Sequence, residues 1–119
     1  KHYLEKEIVI DATATHRCDA EHFSIDISGE LDAVANFILT KETTDDYELE
    51  IGSLPDGIDM TFAENDEYVY KPSNDTATFL VRIENDKRAQ KGDFSVPIIY
   101  TRKGGEYSSV ICQLNIVNQ

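Results

Sequence analysis

Apolar side chains recur at every second position along most of this chain, and no other feature limits its fold as strongly. Phe23, Ile25 and Ile27 alternate with Ser24, Asp26 and Ser28. Ala77, Phe79, Val81 and Ile83 alternate with Thr78, Leu80, Arg82 and Glu84. The same period runs through 8–14, 31–39, 47–51, 58–62, 94–100 and 110–116. Successive side chains of an extended chain point to opposite sides, so each run makes a strand with one apolar and one polar face. Such faces are buried by packing sheet on sheet.

Turn chemistry separates the runs. In Leu54-Pro-Asp-Gly57 the proline presets its own φ and Asp-Gly supplies the reversal. Lys71-Pro-Ser-Asn-Asp75, Gln90-Lys-Gly-Asp93 and Arg102-Lys-Gly-Gly-Glu106 make further breaks. Breaks roughly every ten residues predict an all-β fold, an immunoglobulin-like antiparallel β-sandwich of about seven to nine strands. The 119 residues suit one domain spanning 1–119, excised from a larger protein. Two segments are ambiguous. Residues 30–40 (ELDAVANFILT) contain helix formers, although their β-rich context favours a strand from about Val34. Pro97 sits inside a strongly alternating run and cannot donate to a ladder, which predicts an edge or a bulge there.

The formal charge of −12 argues against nucleic acid and anionic lipid as partners. No apolar run approaches the roughly 20 residues that span a bilayer, so no direct membrane insertion is expected. Cys18 and Cys112 are the chain's two cysteines, and both can fall in the inward phase. They are either a disulfide joining the two ends of the chain or two buried thiols. A disulfide implies an oxidising compartment, extracellular, cell-surface or periplasmic.

Residues that could carry chemistry are few. His16-Arg-Cys-Asp-Ala-Glu-His22 has metal-ligand residue types, but its spacing matches no common zinc site. Among the acidic clusters, Glu64, Asp66 and Glu67 are the best candidates for calcium, though no loop has the twelve-residue EF-hand pattern. No cofactor is expected beyond that. There is no Gly-x-Ser-x-Gly elbow and no cysteine-protease signature, and the three histidines lie in the first fifth of the chain. No catalytic residue is assigned, and an enzyme is not expected. The chain has no tryptophan to stack on sugars, which leaves Tyr68 and Tyr70, on one face, as a ligand platform or as rim cover for the core. Asn74-Asp-Thr76 fits the N-glycosylation pattern.

From about Asp46 onward the order of signals resembles a known family. Tyr47-Glu-Leu-Glu-Ile51, Leu54-Pro-Asp-Gly57, Thr76-Ala-Thr-Phe-Leu-Val-Arg-Ile83 and Ala89-Gln-Lys-Gly-Asp-Phe-Ser-Val96 are similar to the immunoglobulin-like domains of the alpha-galactosidase-associated group. Those domains lie beside carbohydrate-binding and glycosidase modules and in bacterial and archaeal surface proteins. The first third of the chain departs from that pattern, and Phe94 lacks the hydroxyl of a corner tyrosine. The resemblance implies a non-catalytic accessory, structural or protein-interaction module of a secreted or cell-surface protein. Its partners would be other domains of the same polypeptide or extracellular proteins. The alternative is a carbohydrate-binding or adhesive module, assisted by calcium.

Overall fold

A computed structural model describes residues 4–11, 23–40, 47–62, 76–102 and 108–119. Every element among them is a strand: β1 (Leu4–Asp11), β2 (Ser24–Asp26), β3 (Asp32–Thr40), β4 (Tyr47–Ile51), β5 (Ile58–Phe62), β6 (Thr76–Asn85), β7 (Gly92–Arg102) and β8 (Ser108–Asn118). They form two four-stranded sheets, ordered β1-β3-β6-β5 (sheet A) and β2-β8-β7-β4 (sheet B). The eight strands make the β-sandwich that the alternation predicts.

The core is that alternation made physical. Ile8, Ile10, Ala35, Phe37, Leu39, Phe79, Val81 and Ile83 from sheet A meet Ile25, Leu49, Val96, Ile98, Tyr100, Leu114 and Ile116 from sheet B, all buried. Phe23 and Phe37 rings lie 6.1 Å apart and tilted, as do Tyr47 and Tyr100 at 6.2 Å. Residues 32–40 form β3 without a helical turn, and Val34 lies two residues inside it. Leu31 falls just before β3 and is 52% exposed, so the inward phase begins at Ala33. The strand read at 22–28 is three residues long, Ser24–Asp26.

Two pairings are not antiparallel. β1 runs parallel to β3, with Leu4 opposite Ala33 and Ile10 opposite Leu39. β2 runs parallel to β8, with Ile25 opposite Ile116. Both are edge strands, β1 of sheet A and β2 of sheet B. Lys6 lies in the inward phase of β1, and its Nζ donates to the Ser24 carbonyl of β2, tying the two edges together. An inward lysine on an edge strand also discourages another chain from pairing there.

β7 lies between β8 and β4, but the β4 ladder ends at Pro97, so from the proline back to Gly92 β7 pairs with β8 alone and is the edge that the missing N–H predicts. The last β4–β7 pair is Ile51 with Ile98. Next, the Gly52 N–H donates to the Pro97 carbonyl at 2.8 Å, and proline has no N–H to return the bond. The pyrrolidine ring fills the place of a Gly52 side chain: a Cβ there would sit 2.9 Å from Pro97 Cγ.

The register places one end of the sandwich in view. β3, β5, β7 and β1 all start there, and β6 and β8 end there, since Leu4 pairs with Ala33, Asp32 with Glu84, Ile58 with Asn85 and Gly92 with Asn118. Leu4 and Asn118 therefore lie at the same end of the molecule.

Candidate functional site

That end is closed by two asparagines. Asn85 continues the inward phase of Ile83, and Asn118 that of Ile116, so the last residue of each strand brings an amide into the interior. Asn85 Nδ2 donates to Glu30 O at 2.9 Å, Asn118 Oδ1 at 3.1 Å and Ile27 O at 3.2 Å, sharing its two hydrogens among three acceptors. Asn118 Nδ2 returns a bond to Asn85 Oδ1 at 3.3 Å and donates to Gln90 O at 3.0 Å. The pair thus satisfies loop carbonyls that burial would otherwise strand, and it joins sheet A to sheet B. Close by, the Ser28 N–H and hydroxyl donate to Asp26 Oδ1 at 3.0 and 2.5 Å, and Ser28 Oγ accepts the Gln119 N–H at 2.7 Å. Those Ser28 bonds hold the Asp26 carboxyl below its ordinary pKa, the side-chain bond first.

Outside this closure lies a solvent-open cleft of about 700 Å³. Leu31 and Asp32, the turn residue Gly57, Ile58 and Asp59 at the start of β5, and the run from Glu84 to Arg88 line it. Gly57 has φ +83°, and its α-carbon faces the Ala89 backbone so closely that a Cβ would lie 2.6 Å from Ala89 Cα. The loop is held by Asp86 N–H to Gly57 O at 2.9 Å, Gln90 N–H to Asp56 O at 3.1 Å and Arg88 N–H to Asp86 Oδ1 at 2.8 Å. Asp32, Glu84 and Asp59 face each other across β3, β6 and β5 in one cross-strand row. Like charges so placed weaken a sheet.

The described residues that line the cleft offer carboxylates, an amide, a lysine and an arginine, with no Ser, Thr, Cys, Tyr or His among them. Asp59, Glu84 and Asp86 stand exposed in water. Among the described residues no group of His, Cys, Asp and Glu is arranged to hold a metal. Glu64, Asp66 and Glu67, Tyr68 and Tyr70, the cluster 16–22 and the glycosylation asparagine, Asn74, lie outside the described residues. So does Cys18. Cys112 is buried on the inner face of β8 and is disulfide-bonded.

The row of carboxylates leads onto the solvent face of sheet A. Moving along the strands from that row, the register sets Glu5, Val34, Arg82 and Thr61 side by side, then Glu7, Asn36 and Leu80, then Val9, Ile38 and Thr78. Val9 is 55% exposed, and Val34, Ile38 and Leu80 are half-buried. Diagonal neighbours across a sheet are within reach of each other, so the four aliphatic residues form one patch around Asn36. Asn36 Oδ1 is buried among them and accepts no hydrogen bond. The sequence does signal this patch: Val9, Val34, Ile38 and Leu80 are apolar residues in the outward phase.

No family model matches the chain, and no curated protein does. A comparison with solved structures finds the solution structure of amebosin, at 14% sequence identity and TM-score 0.42, over 96% of this chain and 99% of that one.

Proposed function

We propose that this domain is a non-catalytic interaction module of a secreted or cell-surface protein, a scaffold that presents a face to a partner. The observation that carries this reading is the division of labour between the two sides of sheet A. Its inward residues are consumed by the core, while its outward side keeps Val9, Val34, Ile38 and Leu80 in or near water. Contiguous apolar surface on a soluble domain is a mark of an interaction site. The disulfide of Cys112 supports an oxidising compartment.

The test is where the protein is found. An antibody to the domain, used on cells treated with a membrane-impermeant biotin reagent, is expected to recover labelled protein or to detect it in the medium. Protein found solely inside cells, with Cys112 as a free thiol, would overturn the proposal.

A further inference from the structure

The solvent face of sheet A has a composition that selects its partner. Val34, Ile38 and Leu80 lie on its two central strands and Val9 beside them on the edge strand β1; Glu5 and Glu7 bound them along that edge, and the row Asp32, Glu84 and Asp59 bounds them at one end. Arg82 is the one cation among the described residues of this face. Binding surfaces are built this way, with an apolar, charge-poor centre and a polar rim that steers the partner. Asn36 at the centre fits the same pattern: it is a polar outward residue whose Oδ1 is denied the water that outward residues normally reach.

A second copy of the chain is a poor occupant. A two-fold pair of identical faces would set Glu5, Glu7, Asp32, Asp59 and Glu84 of each copy against a face whose described residues hold Arg82 as the one cation, between molecules that each carry −12. Charge complementarity calls for the opposite sign. We propose that this face docks a basic segment of another protein that also bears aliphatic side chains. Its lysines or arginines meet Glu5, Glu7 and Glu84, and its aliphatic residues cover Val9, Ile38 and Leu80. The inference rests on the interaction-module reading and names the surface and the chemistry of its partner.

The whole chain, labelled with nitrogen-15, is titrated with three synthetic heptapeptides that alternate lysine with valine, lysine with serine, and glutamate with valine. The lysine–valine peptide is expected to shift the amides of β1, β3 and β6, to bind about tenfold tighter than the lysine–serine peptide, and to weaken several-fold as salt rises from about 50 to about 500 mM. Ile38→Asp should reduce its affinity about tenfold by placing a charge in the apolar centre. Glu5→Gln with Glu7→Gln, two exposed changes that spare the core, should remove much of the salt dependence. Shifts centred on sheet B, equal binding of the two lysine peptides, binding of the glutamate peptide, or no binding would each overturn the inference. So would sedimentation showing that the chain dimerises through this face. The location experiment reads independently of all these outcomes, so the docking inference can fail while the module reading stands.

Discussion

Asn85 and Asn118 concentrate more consequence than any other polar side chains of the described structure. Removing the Asn85 amide leaves Asn118 short of its partner and takes the amide donor from the Glu30 carbonyl, while the Ile27 carbonyl keeps the Glu30 N–H at 3.0 Å. Asn85→Ala is expected to cost about 2–3 kcal/mol, read as a lower urea midpoint with an unchanged m-value. Because the two amides act as one unit, Asn85→Ala with Asn118→Ala should cost clearly less than the sum of the single changes. Asp26 makes a different prediction. Its folded pKa is lowered by Ser28, so its contribution to stability is fully present above the ordinary carboxylate range and is lost as pH falls through the folded value. Ser28→Ala should therefore flatten some of the acid limb of the stability–pH profile, while the bond from Gln119 N–H that it also removes lowers the whole profile evenly.

At the scale of the elements, the strands β3 to β8 were legible because one physical rule, burial on one face, writes itself into every second residue. The 52–58 turn was legible for a similar reason, since Leu54-Pro-Asp-Gly57 encodes local backbone preferences. The parallel pairings of β1 and β2 were not legible. Alternation says which way a side chain points but not which neighbour a strand pairs with, and parallel edges need no distinctive residues. Pro97 shows the same limit. Its missing N–H marks a place where a ladder stops, but which ladder stops depends on β4 arriving from elsewhere in the chain. Gly52→Val tests this account. The added side chain collides with the Pro97 ring, and the expected result is a loss of about 1–3 kcal/mol, with faster amide exchange along β4 than along β8. Of the candidate site, the outward aliphatics of sheet A could be read from phase alone. Their meeting in one patch, and the carboxylate row beside it, needed the register between β1, β3, β6 and β5.

At the scale of the whole molecule, the disulfide of Cys112 and the amide closure by Asn85 and Asn118 add to one hydrophobic core. Cys18 is the one other cysteine in the chain, so a bond between them closes most of its length into a loop. Replacing both cysteines by serine is expected to lower stability by about 4 kcal/mol in the chain-entropy account, measured by thermal unfolding against the parent chain. The parent should show the same trend when reductant is added, and the serine variant should ignore reductant.

The shared position of Leu4 and Asn118 also decides how the domain would answer a mechanical pull. Tension drawn through these two points opens β1 from β3, and β8 from β7, starting at their common end, so the backbone hydrogen bonds break in succession instead of resisting together in shear. Such a unit yields at low force, but the disulfide keeps the chain between its two cysteines a closed loop, so it lengthens only by what lies outside that loop.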